Sequence, residues 1–153
     1  MPARIGVLIA VALVLGAAAN AVSPRGLSWK EPLGQDLRAR VQAAGFTAIG
    51  AGDLQRILAS RSATIVDARP ADEFKIGRIK GAMSMPWRDV DDGKPGAPPP
   101  KDMPVVVYCA NEFCSESLRL AQWLDGQGYK DIAVYVEGYD EWWNGKKGDV
   151  DQD

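Results

Sequence analysis

Val105-Val106-Val107-Tyr108-Cys109-Ala110-Asn111-Glu112-Phe113-Cys114-Ser115 decides how this chain reads. Val105 to Tyr108 is an apolar, mostly β-branched run without alternation, the pattern of a short strand covered on both faces in a parallel sheet. From Ser115 to Asp125 the apolar residues recur at helical spacing, through Leu118, Ala121 and Leu124 or through Leu120, Trp123 and Leu124. Gly126 and Gly128 stop that helix. Cys109 therefore opens a strand-to-helix loop, and Cys114 closes it. At the carboxyl end of a parallel strand such a loop turns backbone N–H groups inward, and the start of the helix adds positive potential. A thiolate is itself an anion, so a cysteine placed there ionises readily and reads as reactive.

Working outward, Thr64-Ile65-Val66 is a second β-branched run, ending at Asp67, and Ile132–Val136 is a third. Between and around them lie helical patterns. Leu33–Ala44 carries Leu37, Val41 and Ala44 on one face, and Gly45 follows. Asp53 is placed to cap a helix over Leu54–Ala59. Pro70–Gly77 reads as one or two helical turns with Phe74 inward, and Ala82–Met85 as a short strand closed by Pro86. Arg88–Pro104 reads as a polar loop, since Pro95, Pro98, Pro99, Pro100 and Pro104 forbid a central strand. Gly138–Trp143 is a last helical turn and Asn144–Asp153 a solvated tail, with Trp123 and Trp142 assigned to the core. Strands alternating with helices give an α/β domain with a small, mostly parallel sheet flanked by helices.

The amino-terminal end reads as an address. Arg4 supplies a positive flank, and Ile5–Ala19 carries no polar side chain. This is the layout of a secretory signal or of a signal anchor, extended to Val22, with Ala19-Asn20-Ala21 matching a small-x-small cleavage pattern. The expected organisation is a hydrophobic helix over residues 1–22, a connecting segment with a short helix over 23–48, the α/β domain over 49–148 and a polar tail over 149–153. On that reading the domain is exported, most simply to a bacterial periplasm. It is tethered to the inner membrane through residues 5–22 if the segment is retained. An exported location permits disulfides.

Composition removes several classes of chemistry. The chain has 153 residues, 46% of them hydrophobic and 25% charged, as expected for one globular domain. A net charge of -2 leaves no basic excess to neutralise a phosphate backbone, so nucleic acid is not an expected partner. There is no histidine. Ser-His-Asp and Cys-His catalysis and imidazole metal sites are thereby excluded, and two cysteines alone do not close a structural zinc tetrahedron. No metal and no organic cofactor is expected.

From about Ile49 to Gly148 the chain resembles a single rhodanese (sulfurtransferase) domain. Thr64–Phe74 resembles the family's first conserved box. Gly77-Arg78-Ile79-Lys80-Gly81-Ala82 resembles its Gly-His-Ile-Pro-Gly-Ala stretch, with Arg78 in place of histidine. Val105–Cys109 resembles the strand that delivers the catalytic cysteine. Val136–Trp142 resembles the closing Gly-Gly-x-x-x-Trp segment, with Tyr139 for the second glycine. The resemblance implies that Cys109 is a nucleophile that accepts sulfur as a persulfide and passes it to a thiophilic acceptor. The donor would be a small sulfur-containing anion or a polysulfide, and the acceptor includes thiol proteins. Ala110, Asn111, Glu112, Phe113 and Ser115 would form the cradle around the transferred sulfur, with Arg69 as a candidate substrate-binding cation. In the family's common active loop an arginine stands where this chain has Cys114, and a glycine where it has Glu112. The missing guanidinium weighs against a dianionic donor such as thiosulfate, whereas Glu112 repels one only if it points into the cradle and is nearly harmless if it faces water.

The second cysteine leaves alternatives open. In an oxidising compartment Cys109 and Cys114 are spaced to close a small disulfide loop, for which chain entropy gives about 2 kcal/mol. A bridge that weak, beside a helix start, reads as redox-active rather than structural, with Cys114 resolving a persulfide on Cys109. The same pair serves a thiol–disulfide oxidoreductase. Alternatively Cys114 is an unpaired residue of the first helical turn, and the domain is a non-catalytic sulfur carrier or sensor module.

Overall fold

The computed structural model describes residues 6, 15, 16, 36–145 and 150–152. The expected hydrophobic address over residues 1–22 lies, but for three positions, outside them. Among the described residues no helix is long and apolar enough to cross a membrane.

The chain runs α1 (Leu37–Ala43), β1 (Thr47–Ile49), α2 (Ala51–Ser60), β2 (Thr64–Asp67), α3 (Ala71–Ile76), β3 (Arg78–Ile79) and β4 (Met83–Ser84). It continues through α4 (Trp87–Asp91), β5 (Val105–Tyr108), α5 (Glu116–Gly126), β6 (Ile132–Tyr135), α6 (Gly138–Gly145) and β7 (Val150–Asp151). Five strands form one parallel sheet in the order β1-β6-β5-β2-β4. The expected α/β class and the mostly parallel sheet are therefore observed, and the strand before Cys109 is the central one.

The unalternating apolar pattern of β5 has the anticipated consequence. Val105 and Val107 enter a core on one face of the sheet with Val66, Val134, Leu118, Leu120, Ala121 and Leu124. Val106 and Tyr108 enter a second core on the other face with Ile65, Tyr135, Leu54 and Trp142. All four side chains of β5 are buried, which is what a strand packed on both faces requires. Of the two faces proposed for α5, the buried one is Leu118, Ala121 and Leu124 with Leu120, while Trp123 packs half-buried against the core.

Local departures from the expected elements have local causes. α2 begins at Ala51, and Asp53 lies inside it, where its carboxylate reaches back to accept from the Gly50 amide. Arg88–Asp91, read as the start of a loop, belongs to a short helix, Trp87–Asp91, entered from Pro86. Phe74 is half-buried, with the Arg78 guanidinium 4.7 Å above its ring. The tail is not wholly solvated: Val150 and Asp151 pair antiparallel with β3, and Asp151 accepts from the Gly81 amide.

One buried polar network ties the carboxyl ends of β2 and β5 together. Asp67 is fully buried and Arg69 is 4% exposed. Arg69 Nε donates to both Asp67 carboxylate oxygens, and Arg69 Nη2 donates to Asp67 Oδ2 at 2.6 Å and to the Gly77 carbonyl at 2.7 Å. The Tyr108 hydroxyl, one strand over and in register with Asp67, donates to Asp67 Oδ2 at 2.6 Å and accepts from the Ile79 amide. Burial and the adjacent Asp67 carboxylate hold the Tyr108 phenol well above its ordinary range, so it remains a donor. The Tyr139 ring covers the guanidinium at 4.0 Å.

Breaking a buried pair by removing one partner costs about 3–5 kcal/mol, because the other charge is stranded. Asp67→Ala is therefore expected to lose about that much stability in urea unfolding followed by tryptophan fluorescence. A loss below about 1 kcal/mol, the range of an exposed pair, would contradict the assignment.

Candidate active site

Cys109 is the first residue past β5, at the carboxyl edge of the sheet's central strand. Neighbouring segments fix it from two sides. The Ala68 amide donates to the Tyr108 carbonyl, anchoring the strand end on β2. On the α6 side, the Tyr139 amide donates to the Cys109 carbonyl and the Asp140 amide to the Ala110 carbonyl, each at 2.9 Å. These are amides from the first turn of a helix, where no intrahelical acceptor exists for them. In a trans peptide the N–H opposes the C=O, so the amides of Ala110 and Asn111 point away from α6.

This approach is close enough to require glycine. Gly138 sits at φ +78°, and a Cβ there would meet the Ala110 carbonyl carbon and oxygen at 2.6 Å. Both the left-handed backbone and the missing side chain are needed.

Across the loop, Cys109 and Cys114 are joined by a disulfide, with their Cα atoms 6.1 Å apart. That separation lies in the range of roughly 4.4–6.8 Å that a bridge requires. Of the alternatives left open by spacing, the pair is bonded, and Cys114 is not an unpaired helix residue. Cys109 is 2% exposed, whereas Cys114 is half-buried, so the second sulfur covers the first.

The loop between them is a tight turn built by Asn111. Its side-chain oxygen accepts from the Phe113 amide at 3.1 Å, and its carbonyl accepts from the Cys114 amide at 3.1 Å. Its own side-chain amide donates to Asp140 on α6. The expected cradle of inward N–H groups is thus altered in this bonded state, because the amides of Phe113 and Cys114 are spent inside the turn. Phe113 is 85% exposed and Glu112 is exposed, while Ala110 and Ser115 are partly buried. Ser115 stands at the N-cap position of α5 without a side-chain cap hydrogen bond.

The structure adds a residue that the sequence reading passed over. Glu116, the first residue of α5, is half-buried, and its Oε2 lies 3.7 Å from Cys109 Sγ and 3.8 Å from Cys114 Sγ. The three side chains bring two sulfurs and a carboxylate within 4.8 Å of one another. Burial pushes the Glu116 carboxyl above its ordinary range, and Glu73 pushes the same way, while Arg88 and Arg119 act against them. An acidic residue in a first helical turn ordinarily complements the helix dipole, and nothing in its position marked it for chemistry. Its position seven residues past Cys109 and two past Cys114 is the only hint.

Arg69, the candidate substrate-binding cation, and Arg78, which stands in place of the family's histidine, are both engaged elsewhere. Arg69 is held by Asp67 and the Gly77 carbonyl, and Arg78 lies over Phe74. The hydrogen bonds shown for Arg69 do not run to the 110–115 loop. The charged groups acting on Glu116, and so on the sulfurs, are instead Arg88 of α4, Glu73 of α3 and Arg119 of α5.

Gly138→Ala is expected to destabilise the protein by at least about 2 kcal/mol, from the left-handed backbone and the clash together. It also displaces the Ala110 carbonyl, so Cys114 should react faster with a thiol reagent after mild reduction. Unchanged stability and unchanged thiol reactivity in that variant would show that α6 does not pin the loop.

Comparison with known proteins agrees with this architecture. The profile of the family described as Rhodanese-like domain matches residues 50–145. The chain is 28% identical over 86 residues to the thiosulfate sulfurtransferase GlpE of Coxiella burnetii, covering 56% of this chain and 77% of that protein. It is 35% identical over 80 residues to the Pseudomonas putida protein of the same name, covering 52% and 69%. Among solved structures, the BH2092 protein of Bacillus halodurans superposes with a TM-score of 0.57 at 19% identity, over 75% of this chain and 82% of that one. The human single-domain sulfurtransferase TSTD1 superposes with a TM-score of 0.55 at 22% identity, over 65% and 96%. At those identities the structural likenesses speak for the fold. With the family profile covering more than half of its length, this chain belongs to the rhodanese-like domain family.

Proposed function

We propose that the protein is a sulfurtransferase that carries a persulfide on Cys109 and resolves it with Cys114. The observation that supports this most is the bonded pair at the carboxyl end of the central strand, in a member of a sulfurtransferase family. In the reduced protein the Cys109 thiolate attacks the outer sulfur of a donor. The donor's sulfur–sulfur bond breaks, its electron pair leaves with the remainder of the donor, and Cys109 holds a persulfide anion. A thiol acceptor then takes the outer sulfur. In its absence the Cys114 sulfur attacks Cys109 Sγ, displaces the outer sulfur as sulfide and closes the disulfide seen here. In this step the Cys114 sulfur is oxidised and the carried sulfur is reduced to sulfide, while the Cys109 sulfur was already oxidised when it took the sulfur from the donor, so no other oxidant is needed. A dithiol returns the pair to its starting state.

The donor's charge follows from the site. Cys114 stands where the family's common loop has arginine, and the half-buried Glu116 carboxylate faces both sulfurs. A dianion is repelled there, so the favoured donors are organic polysulfides, persulfides and monoanionic thiosulfonates rather than thiosulfate. The relatives named as thiosulfate sulfurtransferases thus differ from this chain in the substrate proposed. The reading includes export to an oxidising compartment, with the protein held at the membrane by residues 5–22 or released from it. A disulfide persists in such a compartment until a specific reductant arrives. The bonded pair alone equally suits a thiol–disulfide oxidoreductase, which exchanges electrons but carries no sulfur.

The discriminating experiment mixes the reduced protein with an arenethiosulfonate and follows sulfinate, sulfide and protein thiols together. The expected result is one sulfinate and one sulfide per protein, loss of both thiols, and no reaction in Cys109→Ser. Oxidation of the thiols without sulfinate or sulfide would leave the oxidoreductase reading in its place. Thiosulfate at the same concentration is expected to react at least about tenfold more slowly, about 1.4 kcal/mol in the barrier.

A further inference from the structure

The resolving step moves a proton as well as a sulfur. Cys114 enters as a thiol and ends in a disulfide, so its proton must leave. The outer sulfur departs with a second electron pair and needs a proton to leave as hydrosulfide rather than as the dianion. A base close to both ends of this exchange would speed it, and the chain has no histidine to supply it.

Glu116 occupies that place. One of its carboxylate oxygens, Oε2, lies within 3.8 Å of both sulfurs, close to the separation of a hydrogen bond to a thiol. The carboxylate is half-buried, at the first turn of an 11-residue helix whose position is fixed by Leu118, Leu120, Ala121 and Leu124 in the core. The helix thus fixes where the carboxylate enters the site. The groups that act on it from the packed elements are Glu73 of α3, Arg88 of α4 and Arg119 of α5 itself. Burial raises its affinity for a proton towards that of a thiol in a favourable site, which shortens the gap a relay must bridge.

We propose that Glu116 is the proton relay of the Cys109–Cys114 pair. It takes the proton from Cys114 Sγ as that sulfur attacks Cys109, and hands it to the departing outer sulfur. The inference rests on the persulfide reading above. Written out, the Cys109 persulfide anion and the Cys114 thiol become the Cys109–Cys114 disulfide and hydrosulfide. The Cys109–sulfur bond breaks towards the leaving atom, the new sulfur–sulfur bond forms with the Cys114 electron pair, and one proton crosses through the carboxylate. In the reverse chemistry, a thiolate attacking the more exposed Cys114 expels the Cys109 sulfur, which the protonated carboxyl can neutralise.

The test is a single-turnover reaction of the reduced full-length protein with an arenethiosulfonate across pH 5 to 9, reading sulfinate release and sulfide release separately. In Glu116→Gln, sulfide release is expected to slow by about 10²-fold relative to sulfinate release, so that persulfidated Cys109 accumulates and is seen by intact mass. Its rate is expected to climb about tenfold per pH unit, following the ionised fraction of Cys114 alone. The wild type is expected to lose rate only as Glu116 becomes protonated at the acidic end, and Glu116→Asp to recover part of the loss. A purely structural role would lower the yield of folded protein without changing the slope of the pH profile. Sulfide release from Glu116→Gln at the wild-type rate and with the wild-type profile would overturn the relay. Absence of sulfinate and sulfide from the wild type itself would overturn the persulfide reading, and the relay with it.

Discussion

A single buried ion pair holds the working end of this fold together. Asp67 and Arg69 are two residues apart at the end of β2, and both are removed from water. Two opposite charges cannot be desolvated cheaply unless every remaining polar atom finds a partner. Here the partners are the Tyr108 hydroxyl at the end of β5, the Gly77 carbonyl ahead of β3 and the Tyr139 ring on α6. Satisfying the pair therefore fixes four separate segments around the point where Cys109 leaves the sheet. The arginine that at first looks available for an anionic donor is the keystone of the scaffold instead.

The consequence for chemistry is a site whose nearby cations, Arg88 and Arg119, act on the Glu116 carboxylate. Its electrostatics come from backbone amides, the start of α5 and a carboxylate. In the bonded state Asn111 turns two of the loop amides onto itself, and Cys114 covers Cys109. Reduction removes the covalent tie that keeps the Cys109 sulfur under its neighbour. The pair thus reads as both the resting form and the product of the resolving step. Glu116 gives the pair a proton acceptor in a chain without imidazole.

Much of this was legible in the sequence, for reasons that can be named. β5 was readable because four apolar residues without alternation fit only a strand covered on both faces, and the strand's end placed Cys109. Leu118, Ala121 and Leu124 announced α5 by their spacing, and Gly126 and Gly128 announced its end. α4 was hidden because Trp87–Asp91 is a single turn before a proline-rich segment, too short for periodicity to register. β7 was hidden because its two residues form a strand only by pairing with β3, more than 70 residues away in the chain, which no local pattern encodes. Arg69 read as a candidate substrate-binding cation, and only the register of Asp67 with Tyr108 shows it held in a buried network. Glu116 escaped notice because an acidic first-turn residue has an ordinary explanation, and only the geometry shows its oxygen beside both sulfurs.

The central claim is that Cys109 accepts a sulfur atom at the edge of the sheet. Its most direct test is the mass of the Cys109 peptide from reduced Cys114→Ser protein treated with a monoanionic thiosulfonate and digested without reductant. The account predicts a peptide heavier by one sulfur atom, returned to its original mass by cyanide. An unmodified Cys109 peptide, from protein whose thiol is reduced and whose fold is intact, would contradict it.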